Sequence, residues 1–143
     1  MRPFHEYKIW QLGHELTLAV YDSTKGFPPE ERYALTSQVR RAAYSVPFNI
    51  VEGSARGDKE FHQFLRISLA SAAELDYGLL LSRDLGYLTE EDYAHLSKRI
   101  TDLKPMIVRF MQRLDADIRP DRRLRANGQR LTANGPTPPE ATP

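Results

Sequence analysis

An all-α chain folded as an antiparallel up-down four-helix bundle is what three features of the sequence predict. Apolar residues recur at steps of three and four through four separate stretches. Gly and Pro signals divide those stretches cleanly. No segment carries a two-residue strand alternation of comparable strength.

The first helix is expected from about Phe4 to Lys25, with Ile9, Leu12, Leu16 and Ala19 on one stripe and Gly26 closing it. Pro28-Pro29 followed by Glu30-Glu31 then suits the opening of a second helix, which reaches Gly53. Asp58 can cap a third helix running to about Leu85, and Gly86 ends it. Thr89 with Asp92 three residues on resembles a capping box for the fourth. There Tyr93, Leu96, Ile100, Leu103, Ile107, Phe110 and Leu114 alternate steps of three and four without a break, the repeat that left-handed bundle packing requires. Pro105 falls opposite that seam, where water can satisfy the carbonyl it frees. Helices of ~25 residues would each be ~35–40 Å long, and short links between them make neighbours antiparallel. Residues 1–118 therefore form the bundle. From Arg119 the periodicity stops and Asn-Gly, Gly-Pro and Pro-Pro appear, so residues 119–143 are expected to be a disordered Arg- and Pro-rich tail.

The second helix departs from a plain core-filling pattern. Leu35, Val39, Ala42 and Val46 keep the helical beat, but the next position on that seam is Asn49. Pro47 deletes a backbone donor and should bend the helix by freeing the carbonyl of Ala43. Gln38, Ser45 and Glu52 recur seven apart along the seam's edge. Asn49 and Glu52 could line a groove or channel. The favoured reading is structural: a seam Asn fixes register and oligomer state, and Glu52 can pair with Arg56 one turn later. Ser45, Pro47, Asn49, Glu52 and Gly53 form this register motif.

The third helix has more apolar surface than one seam can bury. Phe61, Leu65, Ser68, Ala72, Leu75, Leu79 and Ser82 make the seam, while Ile67, Tyr77, Leu80 and Leu81 lie off it. A helix apolar around most of its circumference is buried on more than one side, so these four residues are the candidate surface for self-association.

Composition limits the remaining classes. In 143 residues, 41% are hydrophobic and 27% charged, a globular balance, and there is no cysteine for a disulfide or thiolate metal site. There is no apolar run long enough to span a bilayer and no secretory leader pattern, so a cytoplasmic location is the expectation. The net charge of +1 conceals an asymmetry. Residues 1–118 hold 15 Lys/Arg against 17 Asp/Glu, whereas residues 119–143 hold five arginines against Asp121 and Glu140. Near the register motif, Arg40, Arg41, Arg56, Lys59 and Arg66 are the candidate phosphate contacts, balanced by Glu52, Asp58 and Glu60.

Motifs for catalysis are missing. The sequence has no Gly-rich phosphate loop, nucleophile elbow or HExxH. Asp92 and His95 supply one loose half of the pattern a helical di-metal site uses. No enzyme activity, metal or cofactor is expected.

The ordered pieces resemble the four-helix-bundle proteins encoded in 23S ribosomal RNA intervening sequences. The resemblance rests on Tyr7-x-x-Trp10-Gln11, on Phe27-Pro28-Pro29-Glu30-x-x-Tyr33-x-Leu35-x-x-Gln38, and on Arg40-Arg41-Ala42-Ala43-x-Ser45-Val46-Pro47-x-Asn49-Ile50-x-Glu52-Gly53. Lys59-Glu60-Phe61-x-x-Phe64-Leu65, Ser71-x-x-Glu74-Leu75 and Leu85-Gly86-Tyr87-Leu88 follow in order, so about Phe4 to Leu114 is covered. It implies a bundle that assembles into a homopentameric ring without enzymatic activity. It also implies kinship with the accessory variability proteins of diversity-generating retroelements, which bind a reverse transcriptase and its RNA through a strongly basic exterior. The near-neutral body departs from that type. The expected function is a non-enzymatic self-assembling scaffold contacting RNA, DNA or a reverse transcriptase; the alternative is an interaction oligomer with no nucleic-acid partner.

Overall fold

The structure, a computed structural model, describes residues 2–133, with side chains as far as Ile118. Four helices carry the fold: α1 Lys8–Ser23, α2 Leu35–Ser54, α3 Asp58–Asp84 and α4 Glu90–Ala133. Single 3₁₀ turns at Phe4–Glu6 and Pro29–Glu31 precede α1 and α2. Among the described residues there is no strand. The helices touch in cyclic order, α1 to α2 to α3 to α4 and back to α1, and α2 with α3 is the most extensive pair. That is the order an up-down bundle produces.

The predicted seams of α3 and α4 are the buried ones. Phe61, Leu65, Ser68, Ala72, Leu75, Leu79 and Ser82 are all buried, as are Leu96, Ile100, Leu103, Ile107 and Leu114. In α1 the buried line is rotated: Ile9, Gly13, Leu16 and Val20 face inward, and Leu12 and Ala19 sit at its edges. Gly13 faces α2, where a Cβ would make ordinary contacts at 3.5 Å with Pro47 Cβ and Val46 Cγ1. In α2 the inner line continues through Ile50 and Gly53, leaving Asn49 half-buried on the flank.

Two helix starts are displaced from their sequence signals. Residues 4–6 form a separate 3₁₀ turn rather than the first turn of α1. The segment after Pro29-Glu30-Glu31 likewise breaks at Ala34 (φ −121°, ψ −105°) before α2 begins at Leu35, where the Glu31 carboxylate accepts the Leu35 amide at 3.0 Å. At the end of α3, Gly86 adopts φ +79°. The Tyr87 amide donates to the Ser82 carbonyl at 2.9 Å and the Gly86 amide to that of Arg83 at 2.9 Å. This is a Schellman closure that a Cβ would strain. At the start of α4 the Asp92 amide donates to Thr89 Oγ1 at 3.1 Å, one half of the expected capping box.

The far end of α4 also differs from expectation. Its backbone stays helical to Ala133, past the boundary set at residues 118 and 119. Pro120 removes only the donor to the Ala116 carbonyl, which lies on an exposed turn, and the following Arg, Leu, Ala and Gln residues favour helix. Residues 134–143, the remainder of the expected tail, lie outside the described residues.

Close approach of α2 to α3 depends on missing side chains. A Cβ on Gly53 would stand 2.8 Å from both Phe61 Cδ1 and Phe64 Cβ and 3.3 Å from Phe61 Cα. One on Gly78 would stand 3.0 Å from Val39 Cγ2. Gly53→Ala should improve helix propensity by about 1 kcal/mol, yet overpacking costs about 1–3 kcal/mol. The expected outcome is net destabilisation with a lowered thermal midpoint, because Phe61 Cα is backbone and cannot swing away. A calorimetric midpoint equal to or above that of the unmodified chain would contradict this packing.

Candidate interaction surface

The backbone of α2 crosses Pro47 without a break, and the orphaned Ala43 carbonyl is met from outside the helix. Thr17 Oγ1 of α1 lies 3.2 Å from Ala43 O and 2.8 Å from its own Gly13 O. Since one hydroxyl carries one proton, Thr17 shares it between the two acceptors. From the other side, Ser68 of α3 donates to the Val46 carbonyl at 2.9 Å. The carbonyl freed by Pro47 is therefore met by a hydroxyl of α1, while Ser68 adds a second donor to a carbonyl that Pro47 does not free.

The flank of α2 toward α3 holds a ladder of polar contacts. Gln38 donates to the Glu74 carboxylate, and the Ser45 and Ser71 hydroxyls are hydrogen-bonded at 2.7 Å. Asn49 donates to the Ser45 carbonyl at 2.7 Å and to its hydroxyl at 3.0 Å. Glu52 pairs with Arg56 at 2.6 Å. Over this ladder lies an open groove of about 410 Å³, bordered by Arg41, Tyr44 and Phe48. Tyr44 and Phe48 meet edge to face, ring centroids 5.6 Å apart.

Apolar side chains stand out of this surface. Phe48 is 67% exposed, Ile67 47% and Tyr77 63%. On α3, Ile67, Ala70, Glu74, Tyr77 and Leu81 follow steps of three and four, so they form one outward stripe. Leu80 and Leu81 are less open than Ile67 and Tyr77, partly covered by their own bundle. Tyr44 and Phe48 are not among the residues that the apolar surplus of α3 singles out; their step of four on the outer side of α2 was the available signal.

The five candidate phosphate contacts are not alike. Arg40 Nε donates to Thr24 Oγ1 at 2.8 Å, and its guanidinium lies 4.6 Å from the Tyr21 ring centre. Arg56 is bound to Glu52 and lies over Phe64. Arg41, Lys59 and Arg66 are exposed, and of the five only Arg41 borders the groove.

A different set of cations converges where the N-terminal segment meets α4. Arg2 and Lys8 on one wall and Arg109 and Arg113 on the other border a cleft of about 240 Å³ that also contains Glu6. Arg2 lies 4.4 Å from the Tyr7 ring centre and Arg113 5.4 Å from that of Phe110, while the two rings meet edge to face at 5.5 Å. The sequence hides this group because its two walls lie about a hundred residues apart. The step of four from Arg109 to Arg113 was its only local trace.

Catalytic chemistry finds no comparable support. Among the described residues no three His, Asp or Glu side chains converge as metal ligands. Asp92 and His95 are both exposed on the first turns of α4. The Asp84 carboxylate, hydrogen-bonded to Arg83, raises that guanidinium's proton affinity, and burial pushes the Tyr87 phenol up with help from Glu31 and Glu30. Both shifts lead away from the neutral range a general acid or base needs. Among the described residues no helix is long and apolar enough to cross a membrane.

The family model described as 23S rRNA-intervening sequence protein matches residues 5–109. A solved structure of a protein of unknown function from the S23 ribosomal protein family of Bacteroides thetaiotaomicron has the same fold, with a TM-score of 0.67. It is 21% identical, and the match covers 72% of this chain and 97% of that one. No curated protein matches the chain.

The Thr17–Ala43 contact makes a separable prediction. Thr17→Val should cost about 1–3 kcal/mol by leaving a buried carbonyl unpaired. In a Pro47→Ala background the amide restored at that position can serve the Ala43 carbonyl, so the same change should cost clearly less. Denaturant unfolding of the four chains of this double-mutant cycle reads the coupling, and additive losses would remove Thr17 from this role.

Proposed function

Because the chain belongs to the 23S rRNA-intervening sequence protein family, we propose that it is a non-enzymatic helical scaffold that self-assembles and contacts nucleic acid. The observation that carries self-assembly is the outward apolar stripe of α3 beside Tyr44 and Phe48 of α2. Phe48, Ile67 and Tyr77 are exposed at 67%, 47% and 63%, and apolar side chains gathered on one face mark an interface. Arg41 and Glu74 stand in the same groove, so a second copy could match charge as well as apolar area. The homopentameric ring implied by the sequence resemblance is the assembly we favour, with the register motif from Ser45 to Gly53 close to the subunit contact.

Nucleic acid, or an enzyme such as a reverse transcriptase that works on it, is the proposed partner. The second reading, an interaction oligomer without nucleic acid, draws support from the near-neutral body and from the internal partners of Arg40 and Arg56.

Light scattering at micromolar concentration should give a mass several times that of one chain. Ile67→Glu should shift it toward the monomer while leaving helix content intact, since Ile67 is half-exposed within its own bundle. A monomeric mass for the unmodified protein overturns the scaffold. Retention of RNA at low salt should fall steeply toward moderate salt, as counterion release requires; no retention even at low salt leaves the reading without nucleic acid.

A further inference from the structure

We infer that the cleft formed by Arg2, Lys8, Arg109 and Arg113 is a phosphate-binding site for a single-stranded nucleic acid. The inference deepens the nucleic-acid reading above and rests on it, but it places the contact at the meeting of the N-terminal segment and α4 rather than beside the register motif.

Charge is the first argument. Four cationic side chains border this cleft and Glu6 is the one carboxylate in its lining. Glu6 reaches only Arg2, at 4.0 Å with both side chains largely exposed, a pairing that neutralises little. Among the described residues Lys8, Arg109 and Arg113 form no ion pair with a carboxylate. A concave surface of one sign raises the local concentration of the opposite charge.

Preorganisation is the second. Arg2 and Arg113 are held by the faces of Tyr7 and Phe110, rings that also pack on each other. A ring positions a guanidinium without occupying its N–H donors, so the Arg113 fork stays available for oxygen atoms in a bidentate grip, while Arg2 gives one N–H to the Glu6 carbonyl at 3.4 Å and keeps its others. Arg83, by contrast, also lies over a ring (Tyr93) but spends its donors on Asp84 and reaches Glu90.

Shape selects a strand over a single phosphate. Arg109 and Arg113 are one turn apart, about 6 Å along the axis. They border both this cleft and a second, more open hollow with Gln112 and Ala116, so the basic ridge separates two concavities along α4. A chain of phosphodiesters can follow that ridge, with successive phosphates meeting successive arginines. Contacts to phosphates carry no sequence information, so sequence-tolerant binding is expected of this site.

The test is fluorescence anisotropy of a labelled single-stranded RNA across a salt series, using the full chain. Arg109→Gln with Arg113→Gln should weaken binding about tenfold or more at low salt and make the slope of log affinity against log salt shallower by about 1.4. Both residues are exposed, so helix content and assembled mass should not change. The charge-matched control, Lys25→Gln with Arg32→Gln, two exposed cations outside both candidate sets, should bind nearly as the unmodified protein does. Inorganic tripolyphosphate at matched phosphate concentration and ionic strength should not displace the RNA. Equal weakening by both double variants, or weakening by the control alone, overturns the site while leaving nucleic-acid binding in place. Displacement by tripolyphosphate overturns the strand and assigns the cleft to free polyphosphate. Absence of binding by the unmodified protein overturns the site together with the nucleic-acid reading.

Discussion

The carbonyl of Ala43 is the constraint around which this bundle is arranged. Pro47 has no amide to offer it, and Ala43 is fully buried, so water is not at hand to substitute. A hydroxyl from another helix comes within hydrogen-bonding distance, that of Thr17, at 3.2 Å. The proline is thus answered by a hydroxyl on a neighbouring helix, which ties α1 to α2 at this level of the bundle. Ser68 ties α3 to α2 by a different bond, donating to the Val46 carbonyl, which Pro47 leaves unaffected.

That arrangement explains why α2 and α3 make the tightest pair. Gly53 and Gly78 allow contact that a single methyl would obstruct, and the Ser45–Ser71 hydrogen bond needs the same short separation. The seam still buries large side chains such as Phe61, Leu65, Leu75 and Leu79. On its outer side Tyr44 and Phe48 border a polar groove, and Ile67 and Tyr77 stand exposed on α3.

Net charge conceals how the cations are distributed. Averaged over residues 1–118 the body is slightly acidic, yet four cations face one carboxylate where the N-terminal segment meets α4. The carboxylates that balance the total stand elsewhere, several of them already engaged, as Asp84 is with Arg83 and Asp102 with Lys98. Local sign, not the sum, governs what an anion meets at the surface.

The helices and two of their seams were legible in the sequence because burial leaves a periodic trace within each segment: α4 from Tyr93 to Leu114 shows it without interruption. The orphaned Ala43 carbonyl could be deduced as well, since a proline's missing donor is a property of the chain itself. Its partner could not, because Thr17 is distinguished from other threonines only by where α1 crosses α2. The rotation of the α1 stripe toward Gly13 and Val20 was hidden for the same reason; hydropathy favours Leu12, and only the way α1 lies against α2 puts Gly13 inside. Likewise Ser45 stood out by spacing but Ser71 did not, and Arg2 and Arg113 carry no local sign of sharing a cleft. By itself the sequence determined that four helices form and which residues line the seams of α3 and α4. The tertiary structure decided which polar and charged groups meet, because those meetings join residues far apart in the chain whose distance depends on how helices cross.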